Sequence, residues 1–123
     1  MNEQQKKQIE LQLLQQHLQQ LQEQFSTVRS QISQLNEMRL NLDGLKLVKN
    51  EKTIVPVGVG LFIETNIENV KDILMNVGAN VIVRKDTDST KKILEKQVND
   101  LENIALKMEE SLNQGIIQLQ AMQ

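Results

Sequence analysis

Thr53-Ile54-Val55-Pro56-Val57-Gly58-Val59-Gly60-Leu61-Phe62-Ile63-Glu64-Thr65-Asn66 and Ile67-Glu68-Asn69-Val70-Lys71-Asp72-Ile73-Leu74-Met75-Asn76-Val77-Gly78-Ala79-Asn80-Val81-Ile82-Val83-Arg84-Lys85-Asp86 form one continuous stretch, residues 53–86. Short runs rich in Val and Ile are separated by Gly and Asn, the composition of short strands joined by tight turns. The spacing predicts four strands, over 53–57, 61–66, 72–77 and 81–85. Gly58-Val59-Gly60 and Gly78-Ala79-Asn80 each close a hairpin, because Gly and Asn tolerate positive φ at little cost. Pro56 has no N–H for a ladder bond, so the first strand is either an edge there or bulged.

Such hairpins are incomplete alone. Leu61, Ile63 and Thr65 alternate with Phe62, Glu64 and Asn66, as in a half-buried strand. Ile73-Leu74-Met75 and Val81-Ile82-Val83 are apolar on both faces and need cover on both sides. About thirty residues of sheet cannot cover themselves, and their open edges invite pairing with other chains. The expected assembly strands are carried by Ile54, Val55, Val57, Leu61, Ile63, Ile73, Met75, Val81, Ile82 and Val83.

Both flanks have helical period. In the first helix, expected over 2–43, a heptad counted from Leu11 puts Leu11, Leu18, Phe25, Ile32 and Arg39 at a. Leu14, Leu21, Val28, Leu35 and Leu42 fall at d. A 4,3 repeat sustained this long indicates a coiled coil, roughly 60 Å long at about 1.5 Å per residue. Gly44 is the expected C′ stop, followed by a basic link, 45–52. Asp86-Thr87-Asp88-Ser89-Thr90 is a cluster of N-cap residues that opens a second helix over 88–122. Its a positions are Lys91, Val98, Ala105, Leu112 and Leu119; its d positions are Leu94, Leu101, Met108, Gly115 and Met122. Ala105 and Gly115 are expected to leave gaps, and Gly115 costs about 1 kcal/mol relative to Ala in a helix interior.

The fold expected is therefore α+β: a single domain, 1–123, in which N- and C-terminal helices form an antiparallel coiled coil. Two hairpins between them form a sheet that other subunits complete. Both termini lie at one tip, with Leu14 near Ile117, and the strands at the base with Leu42 near the start of the second helix. Apolar residues off the seam mark the tip: Ile9 (f), Leu13 (c), Ile116 (e) and Ile117 (f). Met38, Leu40, Leu45 and Ile93 mark the base, while Ile104 and Leu106 are mid-rod exceptions. Exposed apolar groups at a tip have nothing of their own to bury them, which makes those four the expected site for holding another polypeptide.

Composition narrows the function. Aromatics are 2% of 123 residues, Phe25 and Phe62, so apolar side chains serve seams more than a globular core. A net charge of −2 speaks against nucleic acid or an anionic membrane as partner. With no cysteine there is no disulfide or thiolate chemistry. No apolar run approaches the roughly 20 residues needed to span a bilayer, and Met1-Asn2-Glu3-Gln4-Gln5 lacks a signal-peptide core; a cytoplasmic location is expected. His17, the single histidine, falls at g with no ligand cluster around it. The carboxylates are spread along helix faces, and the glutamines of the first 24 residues suit a solvated helix face. Gly58-Val59-Gly60 lacks the Gly-Lys-Ser/Thr ending and following helix of a phosphate loop. No catalytic, metal or cofactor site is expected.

Helix, two hairpins and helix, with Ile54-Val55-Pro56-Val57-Gly58-Val59-Gly60 and Met75-Asn76-Val77-Gly78-Ala79-Asn80-Val81-Ile82-Val83, resembles the archaeal-type prefoldin alpha subunits over the whole chain. Two hairpins match the alpha class; the beta class is similar with one. The resemblance implies a hexamer of two alpha and four beta subunits with a double β-barrel body. Six coiled-coil tentacles would hold unfolded proteins at their tips, without ATP, and deliver them to a group II chaperonin. Two other classes stay open: a prefoldin-like chain that assembles with itself into filaments or scaffolds, and an adaptor whose rod binds one defined helix.

Overall fold

The computed structural model describes residues 2–123 and contains α1 (Glu3–Leu45), β1 (Lys52–Gly58), β2 (Leu61–Asn66), β3 (Asp72–Asn76), β4 (Ile82–Asp86) and α2 (Thr87–Met122). The expected elements are all present, with ends shifted by one or two residues. They divide into two units: residues 2–34 with 98–123, and residues 35–97.

In the first unit the heptad is realised position by position. Ile32, Val98, Ala105 and Leu112 are buried, and Leu11, Leu14, Leu18, Leu21, Phe25, Val28, Leu101, Met108, Leu119 and Met122 are half-buried. The expected gap at Gly115 does not exist. A Cβ there would run into the methyl groups of Leu18, so Leu18 is the knob and Gly115 the hole. That contact sets an antiparallel register in which each a position faces a d position. By the same register Leu14 faces Leu119, while Ile117, at f, is exposed. Phe25 falls opposite Met108, and Val28 opposite the small Ala105. Arg29 and Glu102 flank this seam as an exposed ion pair at 3.6 Å. The chain enters α1 through a capping box: Gln5 N donates to Asn2 Oδ1 at 2.9 Å, and Asn2 N donates to Gln5 Oε1 at 3.2 Å.

In the second unit α1 does not stop at Gly44. It runs to Leu45 and unwinds through tighter turns, with Leu47 N donating to Gly44 O and Val48 N to Leu45 O. The left-handed residue is Asn50, φ 63°. Its N–H donates to Ile67 O at 2.8 Å, which ties the link to the segment leaving the first hairpin. Gly44 is thus the next-to-last residue of α1, and the left-handed turn of the link is taken by Asn50, whose amide tolerates positive φ. At the start of α2, Asp86 is the N-cap: Ser89 N donates to its Oδ2 at 2.8 Å. That bond is the main reason its carboxyl is held below the ordinary value. Thr87 N donates to Lys71 O at 2.7 Å, and the Thr90 hydroxyl to Asp86 O.

The four strands form two separate two-stranded antiparallel sheets, β1–β2 and β3–β4. In the first, Thr53 pairs with Thr65, Val55 with Ile63 and Pro56 with Phe62, and then the register shifts before Gly58–Leu61. The irregularity falls beside Pro56, and β1 is also an edge of its two-stranded sheet, so both features expected of a strand proline are present. Gly60, φ 74°, turns the chain. In the second sheet Ile73 pairs with Lys85, Leu74 with Arg84, Met75 with Val83 and Asn76 with Ile82. Its turn puts Ala79 and Asn80 at φ 50° and 61°, the positive-φ pair of a type I′ hairpin. Val81 N donates to Gly78 O at 2.9 Å, and Gly78 N to Asn76 Oδ1 at 2.9 Å.

The core is thin. The chain exposes 9713 Å² at 14.1 kDa, where a compact monomer of that mass exposes about 6,700 Å².

Candidate functional site

Two surfaces carry the apolar groups that the fold leaves uncovered. The first lies on the helices of the first unit. Ile9, Leu13, Ile116 and Ile117 are all exposed, Ile117 to 66% and Leu13 to 59%. Ile9 and Leu13 stand four residues apart on α1, so their side chains meet on one face. Positions f and c point away from the seam, however, and so does f on α2. Ile9 and Leu13 thus lie on the outer side of α1 and Ile117 on that of α2, with Ile116 at e nearest the seam. Ile104 and Leu106 are as exposed, at 44% and 57%, so apolar exposure extends along α2 beyond its end.

The second surface is on the hairpins. Ile54, Val55, Val57, Leu61, Ile63, Val81 and Ile82 are exposed, while Ile73, Met75 and Val83 are half-buried. Cross-strand pairs explain the split. Ile73, Met75, Val83 and Lys85 share one face of the second sheet, and Leu74, Ile82 and Arg84 share the other. The second face is mixed rather than wholly apolar, since Arg84 Nη1 lies 3.7 Å from Asp72 Oδ2 on it. Phe62, Leu74, Val59 and Val77 are also exposed and belong to this surface. Their signal in the sequence was present: Leu74 lies inside a three-residue apolar run, and Val59 is an apolar residue between two turn glycines.

Polar chemistry is sparse. Among the described residues no group of three His, Cys, Asp or Glu side chains could hold a metal ion, and no helix is long and apolar enough to cross a membrane. The marked electrostatic feature joins α1 to α2 in the second unit. Lys91 Nζ pairs with Asp43, and Lys46 Nζ lies 3.3 Å from Asp88 Oδ1. The hydrogen bond between Lys91 and Asp43 is the largest cause that holds the Asp43 carboxyl below, and the Lys91 ammonium above, its ordinary value.

A helical seam with almost no aromatic core, carrying two apolar hairpins too small to cover themselves, defines a protein built as a subunit. The family model described as Prefoldin subunit matches residues 14–123. The chain belongs to the prefoldin subunit family, and it is of the alpha type. It is similar to prefoldin subunit alpha of Methanobrevibacter smithii, 29% identical over 83 residues, 68% of this chain and 57% of that one. It is also similar to prefoldin subunit alpha of Methanosphaera stadtmanae, 33% identical over 72 residues, 53% of this chain and 51% of that one. The chain thus spans about half the length of the curated relatives it matches. A chain from the cryo-EM structure of filamentous PFD of Methanocaldococcus jannaschii shares the fold, with TM-score 0.73, 18% identity, and 90% of this chain and 93% of that one covered.

Proposed function

We propose that this chain is a subunit of an ATP-independent chaperone that holds unfolded proteins on its coiled coil and passes them to a group II chaperonin. In this reading it assembles with beta-type subunits, two alpha with four beta, and its hairpins complete the shared β-barrel. It is not an enzyme and uses no cofactor. The observation that carries the reading is the outward apolar side chains of the first unit, Ile9, Leu13, Ile116 and Ile117, which the coil does not need for its own seam. Each contributes up to about 1.5–3 kcal/mol if a client fully buries it. Weak contacts multiplied over subunits give hold with easy release.

The test replaces all four with Ser. Native mass and thermal unfolding of the complex stay nearly unchanged, and suppression of aggregation of a denatured protein falls strongly. The control changes Gln31, Gln34, Asn99 and Asn103 to Ser, all exposed and polar; Glu102 is left out because it pairs with Arg29. Full protection by the Ser variant moves the client surface elsewhere. A second reading, self-assembly into filaments, is favoured by the filamentous PFD whose fold this chain shares. It requires the purified chain alone to form particles that lengthen with concentration, whereas the subunit reading requires a defined mass reached on adding a one-hairpin partner.

A further inference from the structure

The end of α1 and the start of α2 carry the same short pattern, Asp43-Gly44-Leu45-Lys46 and Asp88-Ser89-Thr90-Lys91. The two copies answer each other. Lys91 pairs with Asp43, and Lys46 with Asp88 at 3.3 Å. In the heptads both lysines stand at a and both aspartates at e, so each a-position cation reaches across the seam to an e-position carboxylate. The arrangement is a pseudo-two-fold cross-link between antiparallel helices. Its α2 half is held on its own side: Asp86 caps the helix, Thr90 is bonded to Asp86 O, and Thr87 N is bonded to Lys71 O.

We propose that these two Asp-x-x-Lys turns form a reciprocal clasp that fixes the axial register of α1 against α2, where the chain leaves for the hairpins and returns from them. Near the hairpins the a/d pattern does not do this by itself, because a slide of one heptad still sets a against d; the Leu18–Gly115 fit that also marks the register lies in the first unit. Such a slide in either direction breaks both pairs. It offers a single replacement, Glu95 for Lys46 one way or Arg39 for Asp88 the other, and leaves Lys91 level with Asn50 or Asn36. Exposed ion pairs are individually weak and screened by salt. The selectivity comes from both being made in one register and lost together in its neighbours. The shifted acidities of Asp43 and Lys91 accord with a pair that stays formed.

The chain has no cysteine, so two can be introduced as spin-label sites without background. Met38→Cys and Ile93→Cys suit this, since both are exposed and outside the clasp. The full-length labelled chain is diluted with unlabelled chain, and the label-to-label distance is read by pulsed electron paramagnetic resonance. The parent gives one narrow distribution at low salt. Asp43→Lys sets like charges against Lys91 and at least halves the population at that distance. The exchange Asp43→Lys with Lys91→Asp rebuilds the pair in reverse and restores the narrow distribution; it also suits the helix ends, with a cation near the C-terminus of α1 and an anion near the N-terminus of α2. A single variant as narrow as the parent overturns the clasp. So does an exchange variant that stays broad while circular dichroism shows intact helix.

Discussion

Among the described residues Ala79, at φ 50°, is the one held in the left-handed region without Gly's freedom or the tolerance of an Asn amide, as at Asn50 and Asn80. An L side chain there costs roughly 1–2 kcal/mol, offset in part by the extra freedom Gly brings to the unfolded chain. Ala79→Gly therefore raises stability by about 0.5–1 kcal/mol in urea unfolding, whereas Gly78→Ala, at φ 115°, lowers it. Gly115 is the converse case, kept for space and not for torsion. Helix propensity alone says Gly115→Ala stabilises by about 1 kcal/mol. The Leu18 methyl already occupies the place of the new Cβ, and overpacking a filled site costs about 1–3 kcal/mol. The net change is a loss of stability on the order of 1 kcal/mol. Leu18→Val made with Gly115→Ala recovers part of it, a non-additivity that a double-mutant cycle reads directly.

At the scale of elements, the clasp between α1 and α2 gives a pH window. The Asp43 carboxyl is lowered, chiefly by the hydrogen bond from Lys91. Its contribution is therefore present above the unfolded carboxylate value, about 3.9, and is lost as pH falls through the lower folded value. Lys91 is raised, chiefly by the same bond. Its contribution is complete below the unfolded ammonium value, about 10.4, and is lost as pH rises through the folded one. Thermal unfolding of the parent should be flat from about pH 5 to pH 9 with respect to this pair and decline outside it. In Asp43→Asn the alkaline decline assigned to Lys91 should shrink; an alkaline limb unchanged from the parent refutes the pairing as its source. The helices themselves were legible as elements because a 4,3 repeat is a local pattern. The way the link leaves α1 was not: the helix closes at Leu45, one residue past Gly44, and the left-handed turn falls later, at Asn50.

For the whole molecule, the expected consequence of so much exposed surface is association through the hairpins. Ile82 is 55% exposed beside Leu74 on one face of the second sheet. An aspartate is tolerated there in a lone chain, where water reaches it, and costs several kcal/mol if a neighbouring subunit buries it unpaired. Ile82→Asp should lower the native mass of the assembly while far-ultraviolet circular dichroism keeps its helical signal. An unchanged mass removes this face from the interface. The half-buried face of Ile73, Met75 and Val83 is the harder one to alter cleanly, since a charge there also meets the chain's own packing.

Periodicity and turn chemistry act over a few residues, and those the sequence determined by itself: two helices in heptad register, four strands in two hairpins, the bulge or edge at Pro56, and the lack of a globular core. The pairing of helix with helix compares positions far apart along the chain, and only the tertiary structure decided it. It turned Gly115 from a gap into the hole for Leu18. The heptad says which side chains face the seam, but the meeting of a knob with one particular hole, and of Lys91 with Asp43, is chosen by volume and charge across it.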